Sequence, residues 1–133
     1  MIGLDTNIIL RLFDFTDAKQ AAAVEQLFET AESEGAFLIN PVVLSEFAWT
    51  LHRTYKKPRG VIADHIERLL QSQECVVPFL DEALDALRCY RQGPAGFADY
   101  FFAAINRSLG CSTTLTFDED AAEEHELFSL LKA

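Results

Sequence analysis

The sequence predicts an α/β domain with a parallel sheet whose two faces are covered by helices. Two observations support this prediction: short apolar runs of three to five residues recur along the chain, and stretches with helical periodicity separate them. Continuous apolar runs are typical of parallel strands, which are buried on both faces. With 133 residues, 50% of them hydrophobic, the chain can bury a sizeable core, and we expect a single domain over residues 1–133.

Five apolar segments are the predicted strands, and turn-forming or helix-capping residues bound them. The strands are expected over residues 2–4, 36–39, 75–77, 113–116 and 127–131. In parallel sheets, ligands bind beyond the carboxyl ends of the strands. Polar residues that directly follow a strand are therefore the first candidates for a site.

The predicted helices have ordinary boundary residues. Asn40 followed by Pro41 is typical of a helix start, Asp81 is expected to cap another helix, and Gly110 is suited to a helix C-terminus. The helices are expected over residues 18–31, 42–55, 61–70, 81–92, 97–109 and 118–124.

The net charge, the cysteines and the apolar runs of the chain limit the partners and the cellular location that we expect. The net charge of −10 is unusual for a nucleic-acid binder, so either the partner is not a nucleic acid or cations from solution supply positive charge. Cys75, Cys89 and Cys111 have no metal-ligand spacing and are expected to be buried thiols in a reducing compartment. No apolar run approaches the ~20 residues that cross a bilayer, and no signal peptide is visible, so we expect a cytoplasmic protein.

Two acids directly follow predicted strands. Asp5 stands in the stretch LDTN after the first strand, and Asp118 begins the run DEDAAEE after the fourth. A turn at Asp5 and a helix cap at Asp118 are the simpler interpretations. Because parallel strands end at a common edge, a ligand-binding role at this edge is the alternative.

Two further acids lie within predicted helices without a basic residue three or four positions away. Glu46 is flanked at those spacings by Val42, Val43, Trp49 and Thr50, and Asp99 by Ala95, Gly96, Phe102 and Ala103. Such acids would lie on apolar stripes, with Trp49 buried beside one of them. A desolvated carboxylate needs a partner, which would be either a buried basic residue or a cation. The helix dipole is a further explanation for Asp99.

A divalent cation would reconcile several acids at one edge. Ligation by carboxylate oxygens without His or Cys selects Mg²⁺ or Mn²⁺. The histidines follow no ligand spacing and are expected at the surface; they are His52, His65 and His125.

Four stretches together resemble the PIN-domain family, specifically the VapC-type toxin ribonucleases of bacterial toxin–antitoxin pairs. They are MIGLDTN, NPVVLSEFAWTL, FADYFFAAINRSLGC and TLTFDEDA, and the resemblance extends over essentially the whole chain. It implies a three-layer α/β/α fold with a short central parallel sheet of about 4–5 strands flanked by helices.

The resemblance also implies a site and an activity. The family's metal-binding acids correspond to Asp5, Glu46, Asp99 and Asp118, and its neighbouring polar residues to Asn7 and Thr116. Thr6 would order the turn after Asp5. The expected activity is Mg²⁺- or Mn²⁺-dependent endoribonuclease cleavage of RNA. The expected partners are a small VapB-type antitoxin and a second copy of the chain.

Two rival functions stay open. A catalytically inactive PIN-like module that binds nucleic acid or protein would be expected to have lost one of the acids. A phosphoacceptor signalling domain would need an acidic pair near the first strand and a lysine after a late strand. None of the lysines follows a strand suitably; they are Lys19, Lys56, Lys57 and Lys132. Arg11, Arg53 and Arg107 are candidate contacts for an RNA backbone.

Overall fold

The structure, a computed structural model that describes residues 1–133, alternates five short parallel strands with seven helices. This confirms the predicted α/β class. The strands are β1 (Ile2–Gly3), β2 (Phe37–Leu38), β3 (Cys75–Val76), β4 (Thr114–Thr116) and β5 (Phe128–Leu130). The helices are α1 (Thr6–Leu10), α2 (Ala18–Glu29), α3 (Pro41–Arg53), α4 (Arg59–Gln71), α5 (Leu80–Gln92), α6 (Phe97–Ser108) and α7 (Glu119–Ala122).

The strands form two small sheets rather than one. The first has the order β1-β2-β3, with Phe37 opposite both Ile2 and Cys75, and the second pairs β4 with β5. Backbone bonding extends the first sheet by one residue, since Leu4 N donates to Leu38 O at 2.9 Å and Ile39 N donates to Val76 O at 3.0 Å. Asp5 therefore follows the last paired residue of its strand.

Two helix starts differ from the prediction. The short helix α1 was not expected, because Thr6 and Asn7 are turn-forming residues; in the structure they begin a helix capped by Asp5. Helix α5 begins at Leu80 with Phe79 as its N-cap, so Asp81 is not the cap. Phe79 has a φ of 59°, a left-handed conformation that propensity does not favour for a phenylalanine.

Other boundaries follow the sequence closely. The Asn40 Oδ1 accepts a hydrogen bond from Val43 N at 2.9 Å, and Pro41 is the first residue of α3, which confirms that start. Gly110 has a φ of 103° directly after the end of α6, where a residue without a Cβ is favoured.

The hydrophobic core lies where α3, α5 and α6 pack together. Its largest fully buried side chains include Phe47, Phe97, Tyr100 and Phe101. The expectation that Trp49 is buried is wrong: its side chain is 54% exposed. The buried stripe of α3 consists of residues at helical spacing, and Trp49 stands outside it. The stripe is Leu44, Phe47, Ala48 and Leu51.

The histidines and cysteines differ partly from their expected burial. His52 and His125 are exposed, but His65 is only partly exposed and stacks on Phe13 with 4.1 Å between ring centroids. Of the thiols only Cys89 is buried, whereas Cys111 is exposed. No helix is both long enough and apolar enough to cross a membrane.

A hydrogen bond from Tyr55 joins the end of α3 to the segment after α1. The Tyr55 hydroxyl donates to Asp14 Oδ2 at 2.6 Å, and the Thr16 backbone and side chain donate to Oδ1 at 3.0 and 2.8 Å. These bonds, led by the one from Tyr55, lower the pKa of Asp14 to about 2. The ionised carboxylate is thus the form that this contact stabilises.

Tyr55→Phe is expected to lower the free energy of unfolding relative to the parent, and this loss should be larger at neutral pH than at acid pH. A lowered pKa contributes stability above the unfolded value of about 3.9, and this contribution is lost as the pH falls toward the folded value. Urea unfolding across this range should show the difference between parent and variant shrinking below about pH 4. Tyr90→Phe is the control, since burial and Arg59, and no carboxylate, act on the pKa of the Tyr90 hydroxyl. A difference that does not change with pH would contradict the assignment.

Candidate active site

Asp5 lies at the carboxyl end of β1 and caps α1. Its side chain is exposed, and Oδ1 accepts a hydrogen bond from Thr6 N at 2.7 Å. Thr6 is buried, and its Oγ1 has no hydrogen-bond partner. Asn7 is exposed. Asp5 therefore both follows β1 and caps α1 through Oδ1, and its other carboxylate oxygen stays free.

Asp118 lies beyond β4 and caps α7. Its Oδ1 accepts hydrogen bonds from Asp120 N at 2.9 Å and Ala121 N at 3.4 Å. Thr116 Oγ1 accepts a hydrogen bond from Asp118 N at 3.0 Å, which fixes the backbone of this acid relative to the strand. The role of Thr116 in the structure is thus to hold the turn in which Asp118 stands.

Asp99 is in the first turn of α6, where its Oδ2 accepts a hydrogen bond from Gly96 N at 3.3 Å. Burial raises the pKa of Asp99; the bond from Gly96 opposes this shift, and the negative charge of Asp118 adds to it. The fold has therefore brought Asp118 close enough for its charge to act on Asp99, although two helices separate strands β3 and β4.

The linker between α5 and α6 sets the position of Asp99. The Arg59 guanidinium donates to Tyr90 O at 2.9 Å, to Gly93 O at 2.6 Å and to Ala95 O. From within α6, the Tyr100 hydroxyl accepts from Ala95 N at 3.1 Å. These bonds connect α4, the linker and α6, so the start of α6 is held from both sides.

A glycine is required at position 93, because the Tyr100 hydroxyl lies close to the backbone there. A Cβ on Gly93 would lie 2.1 Å from the Tyr100 hydroxyl oxygen and 3.2 Å from the Cys89 carbonyl oxygen. Since Tyr100 is only 1% exposed, its ring has little room to move away. The sequence indicated an interruption at this glycine and the following proline, but nothing near Arg59 in the sequence indicated its role.

Glu46 lies on α3 and is exposed. Its apolar neighbours predicted that it faces either the core or a cleft, and its exposure excludes the core. Helix α3 packs against both α1 and α6, the helices whose first turns hold Asp5 and Asp99. Glu46 is therefore on the helix that lies between these two acids.

None of the four predicted acids takes part in an ion pair. The ion pairs of the protein join Arg11 to Asp14, Arg91 to Asp64 and Glu67, and Arg107 to Glu126. The salt-bridge alternative is thus wrong for Glu46 and Asp99. No group of three or more His, Cys, Asp or Glu side chains could hold a metal ion in their present positions, so the four-acid site stays a prediction.

Several cavities are lined by charged side chains, and two of them lie against α6. The larger, of about 550 Å³, lies between α5, α6 and the segment after α7, and none of the four predicted acids lines it. The smaller, of about 350 Å³, lies between α3 and the α5–α6 linker, and Asp99 lines it. Of the two, only the smaller cavity is lined by one of the four predicted acids.

Two of the three arginines proposed as RNA contacts are already engaged. Arg11 donates to Gln20 and lies 3.6 Å from Asp14, and Arg107 lies 3.7 Å from Glu126. Arg53 instead lies over the ring of Trp49, 5.5 Å from its centroid. Of the three, only Arg53 forms no ion pair with an acidic side chain.

The parallel strands, with Asp5 after β1 and Asp118 after β4, define an α/β protein in which an acid follows the carboxyl end of one strand in each sheet. A family model for the PIN domain matches residues 2–125, which is nearly the whole chain, whereas no curated protein has a significant match to it. The chain belongs to the PIN domain family. PIN domains are in general metal-dependent nucleases.

Proposed function

We propose that the chain is a Mg²⁺- or Mn²⁺-dependent endoribonuclease that acts as the toxin of a VapC-type toxin–antitoxin pair. The observation that carries the proposal is the set of four acids in a PIN domain, none of which has a cationic partner. Acids without partners at the ends of strands and helices leave carboxylate oxygens free for a ligand.

The donor chemistry suits a hard divalent cation. All four candidates are carboxylates, and the half-buried Asp99 has a raised pKa and a like-charged neighbour in Asp118. Asp5, Asp99 and Asp118 would hold the ion, with Glu46 as a further ligand or as the group that orients the attacking water. When bound, the ion supplies positive charge at the scissile phosphate and lowers the pKa of a bound water.

The remaining residues position these acids. Gly96 N holds one oxygen of Asp99, and Asp120 N and Ala121 N hold one oxygen of Asp118, so each carboxylate keeps a second oxygen for a ligand. Thr6 orders the turn after Asp5, and Asn7 would brace the acids by hydrogen bonds. The protein's own contribution is thus to keep several negative charges at one edge, where a cation and a phosphate can share them.

A cation also accounts for the net charge of −10 in a protein that cuts RNA. The positive charge that nucleic-acid binders usually draw from clustered Lys and Arg would come in part from the metal. A small VapB-type antitoxin, a homodimer and a cytoplasmic location belong to the same proposal. Large exposed apolar side chains near α6 and the second sheet support a protein partner; they are Leu109, Leu115, Phe117, Leu130 and Leu131.

An inactive PIN-like binding module is the second candidate. One observation favours it, which is that no three acids stand close enough together to hold an ion as their side chains are placed. Retention of all four acids favours the nuclease. A phosphoacceptor domain has less support, because Asp5 has no second acid beside it after β1, and Lys132, two residues after β5, is the only lysine that follows a strand.

Purified protein is expected to cleave single-stranded RNA with Mn²⁺ and not with excess EDTA, and its expression alone should arrest bacterial growth. Asp118→Asn should abolish both effects, and because Asn caps helices as well as Asp, the fold should be kept. Asp120→Asn is the matched control, since it removes the same charge two residues away and leaves the backbone donor to Asp118 intact. Full activity in Asp118→Asn, or none in the parent, would refute the proposal.

A further inference from the structure

One exposed stripe of α3 leads away from Glu46. Trp49 follows Glu46 by three positions and Arg53 follows Trp49 by four, a spacing that places all three on one face of the helix. All three side chains are exposed, and the Arg53 guanidinium lies over the Trp49 ring. The Trp49 ring and the Arg53 guanidinium thus lie after Glu46 along the same face of α3.

The cavity beside Asp99 opens onto this stripe. Its lining includes Trp49 and His52 from α3, Pro94 from the α5–α6 linker and Asp99 from α6. Its volume of about 350 Å³ is at the low end of the range for small-molecule pockets, about 300–1,000 Å³. Arg59 also lines the cavity, and its guanidinium donates to Tyr90 O of α5 and to Gly93 O and Ala95 O of the linker, which ties this wall to α4.

The stripe continues into the most basic segment of the chain. Residues 47–63 contain no Asp or Glu and hold four of the eleven Lys and Arg residues. None of these four is in an ion pair with an acid. They are Arg53, Lys56, Lys57 and Arg59. In a protein of net charge −10, this segment places the exposed Arg53, Lys56 and Lys57 close to Trp49 along the chain, and Asp14, which accepts from Tyr55, is an acid that lies against it.

We propose that the cavity lined by Trp49, His52 and Pro94 binds an unpaired RNA base next to the cleaved phosphodiester, with Trp49 as the stacking surface. The backbone of the same strand then follows Arg53 and the basic corner between α3 and α4. This inference rests on the proposed ribonuclease function and adds the side chains that bind one unpaired base of the substrate beside the cleaved bond.

The chemistry of the surface favours RNA over a protein partner. Single-strand binders combine aromatic rings, on which bases stack, with basic residues that follow the backbone. Here both occur on one stripe, and Asp99 lines the same cavity. Of the exposed large apolar side chains, Val42 lies on this face of α3, whereas most of those that suit a protein interface lie at the end of α6 and beside the second sheet.

Trp49 is the only tryptophan of the chain, so its fluorescence reports on this site alone. A short single-stranded oligoadenylate, added to the protein in EDTA so that it is not cut, is expected to quench the emission to saturation. The same RNA paired with its complement should quench far less, because paired bases cannot enter the cavity.

Substitutions of Trp49 and Arg53 test separately the stacking of the base and the binding of the RNA backbone. With labelled oligoadenylate in EDTA, Trp49→Ala should weaken binding by roughly five- to hundred-fold, and Trp49→Phe should recover part of the loss. Phe15→Ala, which removes an exposed aromatic ring outside the stripe, should leave binding unchanged. Arg53→Gln should reduce the slope of log affinity against log salt by about 0.7, whereas Lys19→Gln should not.

Each outcome decides one proposal. Unquenched emission with normal binding by Trp49→Ala would overturn the stacking site even if RNA is cut, and would leave the ribonuclease proposal standing. Quenching and Trp49-dependent binding without any cleavage would support the base site and refute the nuclease. A change in oligomeric state of Trp49→Ala, with RNA binding intact, would assign this surface to a second copy of the chain and refute the inference.

Discussion

Asp99→Asn is expected to lower nuclease activity by orders of magnitude while leaving the metal-free protein at least as stable as the parent. Asn keeps the shape of Asp and can still accept the hydrogen bond from Gly96, but it removes one negative charge and one hard ligand. Burial and the charge of Asp118 both raise the pKa of Asp99, so the ionised carboxylate is unfavourable in the metal-free fold.

The sign of the pH effect follows from this pKa. A carboxyl group whose pKa is raised on folding binds its proton more tightly in the folded state, so the metal-free parent gains stability as the pH falls through the raised value. Asp99→Asn cannot titrate at this position and should lose this gain. The difference between the two proteins, measured by thermal unfolding in EDTA, should therefore be largest near neutral pH and in favour of the variant.

Mn²⁺ is expected to raise the melting temperature of the parent and to have far less effect on Asp99→Asn. A ligand at a hundred times its dissociation constant stabilises the folded state by about 2.7 kcal/mol. Asp120→Asn is the control and should respond as the parent does. A destabilised Asp99→Asn variant that keeps the full Mn²⁺ response would remove Asp99 from the metal site.

Phe47→Ala is expected to cost about 3–5 kcal/mol of unfolding free energy, as large-to-small changes in cores do. Phe47 is completely buried on the core stripe of α3 and contacts the ring of Phe13, with 5.6 Å between centroids. A cavity at this position would be enclosed by α3 and its neighbours. Urea unfolding at neutral pH measures the loss.

Trp49→Ala is the matched control, two residues along the same helix. Because its side chain is 54% exposed, the loss should be below about 1 kcal/mol. Equal losses for the two variants would mean that Trp49 packs against the core or a partner in solution, and a small loss for Phe47→Ala would mean that α3 is oriented differently.

The main features of the fold could be predicted from the sequence, because each depends on neighbours along the chain. The alternation of apolar runs with helical stretches identified the five strands and six of the seven helices. Asn40 with Pro41 and Gly110 marked their helix boundaries correctly, since capping is a contact between residues a few positions apart. The missed helix, α1, is five residues long and begins with turn-forming side chains.

The candidate site could be predicted only in part for the same reason. The acids after strands, Asp5 and Asp118, were recognisable from local order, and both do follow strands in the structure. The sequence also showed that Glu46 and Asp99 have no basic neighbours along the helix. Whether a distant basic residue pairs with them depends on packing, and only the structure excluded such a partner.

Composition, element order and strand-end acids were determined by the sequence itself, whereas long-range contacts were decided by the tertiary structure. The charge of Asp118 acts on Asp99 because α6 and the turn after β4 come together in space. The exposure of Trp49 was decided by which face of α3 meets α6, and the role of Arg59 by the linker that it reaches from another helix. Periodicity and capping act over one or two helical turns, but packing joins residues that the chain order leaves far apart.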